Sequence, residues 1–118
     1  MTTKAYEHTW ATYQSAWRDI ADDERRQLLE RAVSEDCTYS DPVGSTSGRE
    51  ELIAYIEQFH VTYPGSTFDN HKLLDHHGEA IATWTRLQAD GSSAGDGNSY
   101  AHFGEDGRLV RIVGFFDA

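Results

Sequence analysis

The sequence predicts a single α+β domain in which three helices cover the concave face of a curved antiparallel sheet. Two observations carry this reading. Large side chains recur at helical spacing up to about residue 63, and from Ser66 onward that period gives way to β-compatible runs separated by glycine turns. The 118 residues, 38% of them hydrophobic, suffice for one core, and no repeat or linker marks a second unit.

Tyr6, Trp10, Tyr13, Trp17 and Ile20 follow one another at intervals of three or four, which puts five large side chains on one stripe of a first helix. Asp22, Asp23 and Glu24 place negative charge where a helix N-terminus favours it, ahead of Leu28, Leu29, Ala32 and Val33. A second helix ending near Ser34 is expected. Cys37 to Asp41 reads as a brief strand stopped by Pro42 and Gly44, and alternation sets Tyr39 and Asp41 on the same side. Ser47-Gly48-Arg49-Glu50 has the spacing of a capping box and opens a third helix, whose buried stripe is Leu52, Ile56, Phe59 and Tyr63. Pro64-Gly65 ends it.

Strands are expected at about 66–77, 79–89, 98–104 and 108–116, with His77-Gly78 and Glu105-Asp106-Gly107 at the hairpin turns. The polar, glycine-rich run 89–97 reads as a flexible hairpin loop. One helix layer does not fill a strongly curved sheet, so Trp10, Trp17, Tyr39, Phe59, Tyr63, Trp84, Ile112 and Phe116 are expected either around an internal hollow or in the core.

Charge narrows the function. Ten Lys and Arg against 20 Asp and Glu give a net charge of −10, which repels phosphate backbones and anionic headgroups and argues against nucleic acid and membrane surfaces as partners. The single cysteine, Cys37, permits no intrachain disulfide and no cysteine-based metal cluster. Lys4, Glu7 and His8 interrupt any leader-like apolar run, and no stretch has the ~20 apolar residues of a membrane helix. A reducing cytoplasm is the expected compartment.

The segment Tyr39-Ser40-Asp41-Pro42-Val43-Gly44, Gly48 at a helix start, Trp84 in a strand, and Asp106-Gly107-Arg108-Leu109-Val110 followed by Gly114-Phe115-Phe116 resemble the nuclear transport factor 2-like superfamily. Asp41-Pro42-Val43-Gly44 is similar to the ketosteroid isomerases, and the wider pattern to the SnoaL-like polyketide cyclases. The resemblance implies a cone-shaped, cystatin-like roll with an internal apolar pocket, no cofactor, and a homodimer formed through the outer face of the sheet. It also implies a small apolar or carbonyl-bearing ligand.

In the ketosteroid isomerases the aspartate before Pro-Val-Gly is the general base, which corresponds to Asp41, and a tyrosine on the first helix donates to the oxyanion, which corresponds to Tyr13. Read without the resemblance, Asp41 caps the Pro42-Val43-Gly44 turn and Tyr13 belongs to a buried stripe. The family's second oxyanion donor, an acid, falls at Ala101, which cannot donate. Loss of such a donor typically costs on the order of 10²-fold or more in rate.

Arg86 alternates with Ala80, Ala82 and Trp84 toward the expected hollow. There it pairs with Asp41, clamps an anionic substrate group, or keeps its head in water at the mouth. Of the adjacent His76 and His77 only one can face inward, and an inward His76 is a candidate acid or base. With His71 they leave the ligand set of a metal site incomplete, so no metal is expected. His102 is expected to face outward. These residues point to a cofactor-free isomerase or cyclase, to a non-catalytic binding protein, or to an assembly domain.

Overall fold

The computed structural model describes residues 2–118 as three helices and a six-stranded, curved, unclosed sheet. The elements are α1 (Thr3–Ser15), α2 (Asp22–Ala32), β1 (Val33–Ser40), β2 (Ser45–Ser47), α3 (Arg49–Thr62), β3 (Thr67–His76), β4 (Glu79–Leu87), β5 (Ser93–Phe103) and β6 (Leu109–Phe115). The strand order is β2-β1-β6-β5-β4-β3.

The helices start where local chemistry allows. Thr2 accepts the Ala5 N–H at the head of α1, and Asp22, Asp23 and Glu24 occupy the first turn of α2. At α3 the expected capping box is displaced by one residue. Gly48 is the N-cap at φ 91°, a backbone conformation that favours glycine, and Glu51 rather than Glu50 reaches back to accept from Ser47 N–H.

α1 stops at Ser15, short of the Ile20 that the aromatic spacing predicts. The cause lies in α2. Arg25, only 2% exposed, donates from Nε to the Ala16 carbonyl and from Nη2 to that of Arg18, while His60 Nε2 sits 2.7 Å from the Trp17 carbonyl. After α1 the amides of Ala16, Trp17 and Arg18 make tighter bonds three residues back. The carbonyls of those same residues are taken by side chains from two other helices, so the α-helical ladder stops there.

The sheet is mixed rather than antiparallel. β3 to β6 form an antiparallel meander, but β1 runs parallel to β6, with Tyr39 opposite Ile112 and Ser40 opposite Val113. The α3 crossover carries the chain from β2 at one edge to β3 at the far edge, and the meander returns from there, so β1 lies between β2 and the last strand. The helices accordingly do not all precede the sheet. β1 also begins at Val33, because Val33 and Ser34 join the sheet and are not the last turn of α2.

Of the hairpins, His77 (φ 50°) and Gly78 (φ 77°) form the two-residue turn that the sequence predicts. The 89–97 run is not a long loop. A tight turn closes with Gln88 N–H on the Ser92 carbonyl, Asp90 holds Ser92, and β5 starts at Ser93 opposite Leu87. Backbone pairing uses no side chain, so glycine content did not prevent it. Gly97 has a packing role instead. A Cβ there would stand 2.2 Å from the Trp84 ring, so the indole lies flat across β5 only because residue 97 has no side chain.

The two sheet edges differ. β2 has three residues, whereas β3 is long, carries Asp69, Asn70, His71, Lys72 and Asp75, and is broken by a register shift between Asn70 and Lys72. The core is led by Leu29, Val33, Cys37, Leu52, Ile56, Leu109 and Ile112, all nearly solvent-free. Burial pushes the Cys37 thiol up to about 12. Among the described residues no helix is long and apolar enough to cross a membrane.

Replacing Arg25 by Met should lower the unfolding free energy by about 2–3 kcal/mol, because two carbonyls lose charge-assisted hydrogen bonds in a buried setting. Urea denaturation of the variant against the parent checks this.

Candidate functional site

A cavity of about 490 Å³ lies between the concave sheet face, α3 and the end of α1. Its wall is aromatic. Trp17 packs on Tyr39, Phe59 and Phe68 with ring centroids 5.5–5.8 Å apart, Phe68 meets Trp84 edge-on at 5.2 Å, and Trp84 meets Phe116 at 6.0 Å. Tyr13, Tyr55, Tyr63 and Ser99 complete much of the rest.

Asp41 follows Tyr39 by two residues at the end of β1 and lines this cavity. Its carboxylate is enclosed by donors. Oδ1 accepts from Val43 N–H (2.8 Å), Gly44 N–H (3.0 Å) and the Tyr55 hydroxyl (2.8 Å), and Oδ2 accepts from the Tyr39 hydroxyl at 2.6 Å. The Tyr55 hydroxyl also lies 3.0 Å from Oδ2. Turn capping and cavity lining are therefore one arrangement, since the Pro42-Val43-Gly44 turn presents its amides to the side chain that faces inward.

Three phenols surround that carboxylate. Burial, the largest cause, pushes the Tyr13 hydroxyl far above its ordinary value, with the Trp17 indole partly offsetting it. Burial likewise raises Tyr39, helped by the neighbouring Tyr13 and by the bond to Asp41, and it raises Tyr55 together with the Asp41 bond. All three stay protonated donors through the neutral range.

Arg86 also faces the cavity, three strands from Asp41, and the two do not pair. The guanidinium lies 4.6 Å from the Tyr63 ring centroid and 6.0 Å from that of Phe59, and Nη1 is 3.2 Å from Ser66 Oγ. Trp84 Nε1 donates to Ser99 Oγ at 3.0 Å, which fixes the indole against the opening left by Gly97.

Of the eight residues expected around the hollow, Trp17, Tyr39, Phe59, Tyr63, Trp84 and Phe116 line the cavity. Ile112 does not, because it lies buried one step below Gly114, and Gly114 leaves open the floor beside Asp41. Trp10 faces a separate groove of about 380 Å³ against β3. His76 is outside the cavity. It is exposed at the β3–β4 turn with its Nδ1 3.1 Å from that of His77, because the register shift between Asn70 and Lys72 changes the alternation of β3 and sets His76 on the outer face with Leu74. Tyr55 is the residue that the helical stripe should have supplied, since it stands three positions after Leu52 and four before Phe59.

This arrangement of an aromatic-walled hollow, a carboxylate at the end of β1 and a parallel β1–β6 pair has a counterpart in sequence. A family model described as a SnoaL-like domain matches residues 11–112. The chain belongs to the SnoaL-like domain family. Its fold is that of the nuclear transport factor 2-like superfamily. A structure from Agrobacterium tumefaciens, described as a candidate isomerase of the SnoaL-like family, is 26% identical and superposes with a TM-score of 0.91 over 98% of this chain and 100% of that one. A SnoaL-like protein of unknown function from Burkholderia thailandensis is 18% identical, with a TM-score of 0.78 over 100% and 99% of the two chains. A protein with a cystatin-like fold from Methylobium petroleophilum is 15% identical, with a TM-score of 0.81 over 100% and 79%. Among proteins of curated function no match is found.

For this SnoaL-like chain the raised phenols have a consequence in alkali. A group whose folded value is raised contributes stability that is complete below its unfolded value, 10.0 for tyrosine, and is lost as pH climbs toward the folded value. At about pH 11 native protein should keep Tyr13, Tyr39 and Tyr55 protonated, and unfolding should release their phenolate absorbance. Spectrophotometric titration of native and urea-unfolded protein checks this.

Proposed function

We propose that the chain binds a small, largely apolar carbonyl compound in the aromatic cavity and moves a proton on it without a cofactor, with Asp41 as general base. The observation that carries this is a carboxylate held by two amides and two hydroxyls in the wall of a largely aromatic hollow. Oδ1 has more donors than lone pairs, whereas Oδ2 has one close donor and a share of a second. Oδ2 is therefore the oxygen with capacity to take a proton from the carbon next to the carbonyl.

The electron pair released from that C–H bond forms an enolate. Returning the proton to another carbon completes an isomerisation, and attack of the enolate carbon on a second carbonyl completes a cyclisation. Ala101, buried beside Ile112, supplies no donor to the enolate oxygen. Tyr13 and Ser99 take that role. Both line the cavity, and Ser99 receives the Trp84 N–H on its oxygen, leaving its own hydroxyl hydrogen to donate.

Proton exchange reads this directly. In deuterated buffer the protein should catalyse exchange at the activated carbons of a β,γ-unsaturated ketone or a 1,3-dicarbonyl, followed by nuclear magnetic resonance. Asp41→Asn, with folding checked by thermal melting, should slow exchange by about 10²-fold or more. Equal exchange by parent and variant would rule out Asp41 as base and leave a binding protein, the reading that Ala101 favours.

We also propose that a second copy covers the outer sheet face. Leu74, Ile81, Tyr100 and Val113 stand opposite one another across four strands there, and Leu74 and Ile81 are more than half exposed. Sedimentation equilibrium at micromolar concentration should give a dimer, and Ile81→Lys a monomer. A monomeric parent protein would overturn this.

A further inference from the structure

Among the described residues, Arg86 is the single cationic side chain lining the cavity of a protein with net charge −10. Its guanidinium has five N–H donors, and one of them has a described acceptor, Ser66 Oγ. No carboxylate lies within ion-pairing distance among the described residues, although Asp41, Asp96 and Asp117 all line the same cavity. Asp96 is engaged by the Thr85 hydroxyl at 2.6 Å, and Asp41 by its own four donors.

The head group is also held in place. Tyr63 and Phe59 pack against the guanidinium, and Ser66, itself buried, fixes one edge. A half-buried guanidinium stacked on aromatic rings presents its remaining donors as a planar fork, the geometry that matches two carboxylate oxygens. Trp84 stands two residues away on the same face of β4, and Phe68 lies opposite Arg86 on β3, so apolar surface adjoins the fork directly.

We propose that Arg86 is the recognition site for a carboxylate on the ligand, which makes the substrate class an aromatic or otherwise apolar carbonyl compound bearing one carboxylate. This rests on the reading of the cavity as a small-molecule site, and it assigns that site a polarity. The carboxylate docks at the β4 side, and the carbon that loses its proton lies toward Asp41. The two are three strand spacings apart, about 14 Å measured along the sheet.

The test uses naphthalene-2-carboxylate and its neutral isostere naphthalene-2-carboxamide, titrated into the protein at neutral pH by calorimetry. The carboxylate should bind about 10-fold or more tightly than the carboxamide, and Arg86→Met should remove that preference while leaving carboxamide affinity within about 2-fold. Arg86→Lys, which keeps the charge and loses the fork, should retain part of the preference and covers the case in which the Met variant does not fold. Equal affinity of the parent protein for the two probes, or a preference that survives in Arg86→Met, overturns the role of Arg86 while leaving the cavity a binding site. Binding of neither probe overturns the cavity reading and this inference together.

Discussion

The Asp41 carboxylate is the joint at which β1, the turn that follows it and α3 are tied together. It receives a hydroxyl from its own strand, two amides from the turn and a hydroxyl from α3, so each of those elements is positioned relative to the same two oxygens. Buried phenols are costly without acceptors, and Tyr39 and Tyr55 find theirs here. The parallel β1–β6 pairing carries that joint to Gly114, where the missing side chain leaves space beside it. A structural reading and a chemical reading of Asp41 are thus not rivals, because the bonds that cap the turn also orient the carboxylate.

Trp17 shows how a wall of the cavity is made from a segment with no regular structure. It lies beyond the last turn of α1, yet it is only 7% exposed and touches Tyr39, Phe59 and Phe68. Arg25 and His60 hold the three consecutive carbonyls of Ala16, Trp17 and Arg18, which supplies the partners that a continued α-helix would have given them. A buried arginine is expensive unless its donors are used, and here two of them are spent on backbone carbonyls that would otherwise be unpaired.

Periodicity made much of this legible. The inward alternation of Ala80, Ala82, Trp84 and Arg86, the shared face of Tyr39 and Asp41, and the His77-Gly78 turn all follow from the geometry of single strands and turns. What periodicity does not carry is partnership between different segments. The parallel placement of β1, the early end of α1 and the pairing of the glycine-rich 93–97 segment each depend on a partner outside the segment itself: the last strand, Arg25, and β4. Helical spacing places Tyr55 on the buried stripe of α3, but its role comes from an acceptor on another element. His76 faces outward because strand alternation does not foresee a register shift, and the one between Asn70 and Lys72 reverses which residues of β3 face the helices.

An unclosed sheet leaves two strands with unpaired backbone groups, and such edges are templates on which other chains can grow β-structure. This fold answers the hazard differently on its two sides. β2 offers only three residues, too short to hold a foreign strand. β3 is long enough, but its register shift near His71 interrupts the regular ladder, and Asp69, Lys72 and Asp75 place charge along it. The irregularity in β3 therefore acts as a guard against fibril-like stacking, and the protein can keep a deeply curved, open sheet without closing it into a barrel.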